Sequence, residues 1–304
     1  MAHPRLQEGR EPTRTLPLST SGTAEPNGSA NGPRLDLERD FWKRRERETL
    51  IVCDELTAGF GVLGFLGLYV LGTGAGVPVG MGVALMTALE ISMASSREWY
   101  LRRRSRILVP TRIAFAYLYG LAGSAVRLQG DVSPLADTLM MGTWPSLVGG
   151  ALGMQLPFGR HIAVQTVASL LSSSFPGRLC EGSFGGDAYR QLFRNFESRV
   201  DALGSTLVLL SAQGTEDALI RATTPAKDCC WVVLNFWNLW LGWVLPTLAL
   251  WFVERRARIF YLARLRLASR GNFRLPSANL LARAVWCFNL LVFFEVSWRS
   301  LKSV

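Results

Sequence analysis

Apolar stretches of about 17 to 24 residues recur along this chain, and arginine clusters fall in every second gap between them. About 20 apolar residues at 1.5 Å rise cross the ~30 Å hydrocarbon layer of a bilayer. A soluble helical domain would instead disperse its apolar residues along one face of each helix. With 49% hydrophobic residues over 304 positions, the chain has enough apolar material for many such blocks. The expected fold is an all-α polytopic integral membrane helix bundle of about seven spans, six at the least.

Residues 1–34 are rich in Pro, Gly, Ser, Thr and Arg without apolar periodicity, which predicts a disordered tail. Residues 35–52 read as an amphipathic juxtamembrane helix, with Phe41 and Trp42 at the interface and Lys43, Arg44, Arg45 and Arg47 toward headgroups. Residues 53–304 form the membrane domain. Its spans are expected at about 53–72, 76–95, 107–126, 135–156, 159–175, 230–252 and 279–298. Pro145 and Pro246 are expected to kink the fourth and sixth. Between the fifth and sixth, Tyr189, Leu192, Phe193, Phe196, Val200, Leu203, Leu207 and Leu210 recur at helical spacing. That pattern predicts an amphipathic loop helix at about 187–212.

The charge is unevenly placed. The net charge is +10, and residues 97–106 (+4) with 254–274 (+6) account for all of it. Both clusters abut apolar spans. Their expected partners are therefore anionic lipid headgroups, at Arg97–Arg106 and at Arg255–Arg274, and not nucleic acid. With the amino terminus on the cytoplasmic (or stromal or matrix) side, two crossings precede the first cluster and six precede the second. Both then face the same compartment, as positive loops do. The weakest span, 159–175, is what keeps them together.

Few residues could carry chemistry. Glu90 and Arg112 lie at similar depth in adjacent antiparallel spans, roughly 9 Å from the arginine-rich side at 1.5 Å per residue. An ionised group at that depth costs several kcal/mol unless paired or hydrated, so a Glu90–Arg112 ion pair is expected. Asp54 and Glu55 would join that candidate intramembrane polar site from the first span. Asn235, Asn238 and Asn289 are expected to make helix–helix polar contacts. Trp237, Trp240 and Trp243 form a stripe that meets lipid or neighbouring helices. Cys180 and the Cys229–Cys230 pair bracket the 176–229 loop, so a disulfide of Cys180 with Cys229 or Cys230 could tie its ends.

Several classes are excluded. The only histidines are His3 and His161, and no CxxC pair exists, which removes histidine-box, bis-histidine haem and zinc sites. The only lysines are Lys43, Lys227 and Lys302, so no span carries one for a Schiff base. No phosphate-loop or GxSxG motif occurs. No catalytic residue, metal or cofactor is expected. Two functions remain. One is a transporter or channel-like protein for an ion, small solute or lipid. The alternative is a non-catalytic membrane structural or interaction subunit, with membrane-protein partners or further copies of itself.

Overall fold

The computed structural model describes residues 32–73, 75–128, 133–210, 228–268 and 280–302. The tail expected over 1–34 therefore lies almost wholly outside the described residues. The chain divides within its first helix into a unit ending at Asp40 and a unit from Phe41 onward, and the latter holds every later element.

Helix α1 (Gly32–Arg45) passes through a π-helical turn, Glu46–Leu50, into α2 (Ile51–Leu71). No break separates the juxtamembrane helix from the first span. Then come β1 (Gly72–Thr73), α3 (Gly76–Ser95), α4 (Arg97–Ala125) and β2 (Arg127–Leu128). They are followed by α5 (Pro134–Met141), α6 (Trp144–Leu152), α7 (Phe158–Ser172), α8 (Pro176–Glu181) and α9 (Asp187–Leu210). The last elements are α10 (Cys229–Trp237), a π-helical segment Asn238–Val244, α11 (Leu245–Ala268) and α12 (Leu280–Lys302). Among the described residues, four helices are long and apolar enough to cross a membrane: Ile51–Val70, Gly76–Ser95, Arg97–Ala125 and Cys229–Ala263.

Local chemistry sets the boundaries. Ser96 is extended and its side chain accepts from the Trp99 backbone N–H, so α3 stops and α4 starts across one residue. The arginine cluster 97–106 is the first part of α4, not a loop before it. The single span expected over 135–156 is two short helices, α5 and α6, parted at Gly142–Thr143. Pro145 has no N–H to give and sits in the first turn of α6, where it starts a helix instead of kinking one. The expected kink at Pro246 takes another form. Proline cannot donate to the Gly242 carbonyl one turn back, and the π-helical segment ends just before it. The Gln165 side-chain amide donates to that carbonyl instead.

The chain has two distinct ends. At one, Arg45 Nη2 donates to Gln155 Oε1 at 2.8 Å and Phe41 is buried 5.4 Å from the Tyr261 ring. That end gathers the residue 41–50 segment, the start of α4, the α6–α7 turn and the middle of α11. Phe41 thus packs inside the protein, away from the interface expected for it. At the other end β1 pairs antiparallel with β2, and Ser183 Oγ donates to the Val126 carbonyl at 2.8 Å. A disulfide there joins Cys180 of α8 to Cys230 of α10.

Aromatic side chains fill the space between helices. Phe65 of α2 meets Phe115 and Tyr119 of α4 at 5.8 and 5.6 Å. Trp237 and Trp240 are buried, not lipid-facing. They pack with Phe196 of α9, Phe236, and Phe294 of α12, and Trp298 joins the same cluster. Asp201 of α9 accepts from Trp298 Nε1 at 2.8 Å and from Lys302 Nζ at 2.9 Å, which fastens α12. By contrast Leu56, Phe60, Leu63 and Val70 of α2 are exposed in a continuous stripe.

Close approach of α2 and α3 depends on Gly82, where an added Cβ would overlap the Phe65 ring. Gly82→Ala is expected to destabilise the bundle by ~1–3 kcal/mol, read as a lower midpoint in detergent thermal unfolding. Gly80→Ala, which meets nothing within 4 Å, should leave the midpoint unchanged.

Candidate functional site

Helix α4 carries Tyr100, Arg104 and Arg112 at spacings of four and eight, so all three fall near one face. Asp54 meets the first two. Its Oδ2 accepts from Arg104 Nε at 2.6 Å and its Oδ1 from Arg104 Nη2 at 2.8 Å, a bidentate pair. Tyr100 Oη donates to Oδ2 at 2.9 Å. Asp54, Tyr100 and Arg104 are all 0% exposed. Arg104 Nη1 is left over, 4.0 Å from Glu46 Oε1. Burial pushes the Glu46 carboxyl above its ordinary pKa, and the nearby Arg104 charge opposes that shift.

Two turns further along α4, Arg112 is 2% exposed. Its Nη1 reaches the Met154 carbonyl at 3.5 Å, and Nη1 and Nη2 both lie 3.3 Å from His161 Nδ1. Its Nη2 also donates to Gln165 Oε1. A guanidinium only donates, so His161 Nδ1 must accept. The imidazole is therefore neutral with its proton on Nε2, which donates to Thr247 Oγ1 at 3.1 Å. The Gln165 amide donates onward to the Leu147 carbonyl at 3.1 Å and to Gly242. Residues of α4, α6, α7 and α11 thus converge on one cation. Among the described residues no carboxylate pairs with it.

The expected Glu90–Arg112 pair is not formed. Glu90 is half-buried on α3, with Oε1 3.5 Å from the point where a Gly59 Cβ would stand on α2. Equal depth does not bring two groups together when helix rotation aims one at α2 and the other at α7. Asp54 pairs with Arg104 and not with that site, and Glu55, one residue on, is exposed. Among the asparagines, Asn238 Oδ1 accepts from Thr143 Oγ1 at 2.6 Å and joins the π-helical segment to the α5–α6 break. Asn235 turns back to the Trp231 carbonyl of its own helix at 3.0 Å. Asn289 is exposed.

Of the two candidate partners for Cys180, Cys230 is the one bonded, and Cys229 remains a half-buried thiol. A cavity of about 810 Å³ lies beside them, lined by Phe184, Arg190, Arg194 and Glu197 among others. Among the described residues no group of three His, Cys, Asp or Glu side chains could hold a metal ion.

Sequence reasoning passed over Tyr100, Arg104, His161 as a ligand of Arg112, Gln165 and Thr247. One signal was present: His161, Gln165, Ser169 and Ser172 recur along α7 at three- and four-residue steps, a polar stripe in an apolar helix. No protein-family model, no curated protein and no solved structure matches this chain. Its functional reading rests on this geometry.

Removing the carboxylate of a buried ion pair leaves a cation without compensation, at a cost of ~3–5 kcal/mol. Asp54→Asn should therefore sharply lower the unfolding midpoint in detergent. Glu55→Gln, on the exposed neighbour, should not.

Proposed function

We propose that this chain is a transporter or channel-like membrane protein for an anion, with Arg112 as the group the anion meets inside the bundle. The carrying observation is the Arg112 environment. Among the described residues, this guanidinium at 2% exposure is held only by a carbonyl, a neutral imidazole and an amide. A cation among membrane helices is costly, and its usual justification is an ion or substrate that passes it. His161 and Gln165 fix the guanidinium in place without cancelling its charge, so attraction for an anion is retained. No enzymatic role is proposed.

The same reading takes the chain across the bilayer about seven times. The Arg45–Gln155 contact supports bringing the α6–α7 turn back to the arginine-rich end. The Cys180–Cys230 disulfide supports the return of α8 to the opposite end. On this topology α5 and α6 make one broken crossing and α7 the next. Arg97–Arg106 and the arginines of α11 then share the cytoplasmic (or stromal or matrix) side with residue 45, facing anionic headgroups.

A second reading has its own observation. The cavity beside the disulfide is lined by none of the residues around Arg112, and the α2 flank exposes Leu56, Phe60, Leu63 and Val70. That suits a membrane structural or interaction subunit contacting another protein or a second copy. Its contact surface would be this flank. The tryptophans of α10 and of the π-helical segment are largely used up inside the bundle.

Flux separates the two. In proteoliposomes holding full-length protein, the transport reading predicts that a chloride or nitrate gradient dissipates faster than in empty vesicles. Arg112→Gln should reduce that rate at least ~10-fold, the scale of one lost charge-assisted hydrogen bond, and Arg112→Lys should retain part of it. A wild-type rate equal to that of empty vesicles for both anions would favour the subunit reading.

A further inference from the structure

The fork of the Arg112 guanidinium is aimed at a histidine nitrogen. Nη1 and Nη2 each lie 3.3 Å from His161 Nδ1. Two N–H groups side by side are the arrangement that takes an anion in bidentate fashion. Here a single neutral lone pair stands in that seat, shared between two donors and beyond the usual hydrogen-bond distance. The other contacts are made elsewhere. Nη2 also donates to Gln165 Oε1, and the ring gives its Nε2–H to Thr247 Oγ1 at 3.1 Å.

An anion on the fork would meet Nδ1. With the ring neutral, the Nδ1 lone pair faces that anion, acceptor against acceptor. A proton on Nδ1 turns the opposition into an N–H bond donated to the anion, and leaves Nε2–H on Thr247. Without the anion, the same proton sets imidazolium against guanidinium at 3.3 Å, donor against donor and cation against cation. The surroundings add little to this balance. α6 and the π-helical segment carry no ionisable side chain, and Arg160 of α7 is exposed. α11 presents Thr247, with Glu254 two turns further on, and Arg104 of α4 is paired with Asp54.

We propose that His161 binds a proton in concert with an anion on Arg112, so that the transported unit is a monovalent anion together with one proton. The proposal rests on the anion reading of Arg112. The anion accepts from Nη1, Nη2 and the new Nδ1–H. The proton adds to the Nδ1 lone pair, no covalent bond of the anion changes, and both leave together. Guanidinium, anion and imidazolium together carry the same charge as the guanidinium alone, so transport is electroneutral. By linkage, each ligand tightens the binding of the other.

The test uses full-length His3→Gln protein with isotopically labelled histidine in proteoliposomes, which leaves His161 as the one histidine. An inward gradient of chloride or nitrate should acidify the lumen as the anion enters. A potassium shunt with valinomycin should leave the anion's rate unchanged. By nuclear magnetic resonance between about pH 8 and about pH 5, where imidazole ordinarily titrates, the carried anion should raise the fraction of His161 rings with both nitrogens protonated. Anion entry without acidification, entry speeded by the shunt, or a ring protonated equally with and without the anion would each overturn the coupling and leave the anion reading standing. Entry of neither anion would overturn both.

Discussion

An ionised side chain surrounded by apolar helices persists only if other groups hold it, and α4 carries two of them. Arg104 is held by a carboxylate on the neighbouring helix, with a tyrosine hydroxyl on the same oxygen. Among the described residues, Arg112 is held by neutral groups only. The two arginines lie on one helix, eight residues apart, or roughly 12 Å along its axis. They divide the labour. The first is a lock between α2 and α4, whose charge is cancelled where it stands. The second has no carboxylate partner among the described residues, and it is there that the proposed anion would meet the bundle.

Helix irregularities make the second arrangement available. A run of regular helices satisfies its own backbone and offers nothing to a buried side chain. Here Pro246 frees the Gly242 carbonyl, and Gln165 takes it. The break at Gly142–Thr143 leaves Thr143 Oγ1 aimed at Asn238. The turn after α6 presents the Met154 carbonyl to Arg112. Each interruption lies on an element that touches the polar cluster or braces one that does. The proline and glycine residues that look like defects in a membrane span are the means by which α6, α7 and α11 meet around one guanidinium.

The sequence made some of this legible. Blocks of apolar residues at span length are hard to hide, and four of them emerge among the described residues in α2, α3, α4 and the Cys229–Ala263 helix. Period alone announced α9, because Phe193, Phe196 and Val200 had to share a face. Azimuth was not legible. Glu90 and Arg112 match in depth, yet depth is one coordinate and side-chain direction is another. The Asp54–Arg104 pair was missed because the arginine cluster read as a loop, whereas the helix begins at Arg97 and carries Arg104 inward. Thr247 and Gln165 looked unremarkable, since their roles depend on which neighbour a broken helix turns toward them.

All of this requires that lipid, not water, lie against the outer helices. Spin labels placed one at a time at Leu56, Leu63 and Val70, exposed positions along α2, report this directly by their accessibility to oxygen and to a water-soluble nickel complex in reconstituted vesicles. Burial in lipid predicts high oxygen and low nickel accessibility at Leu63, with nickel access rising toward Leu56 and Val70. Uniformly high nickel accessibility at all three positions would contradict it, and the cost of burying Arg112 would then lose its significance.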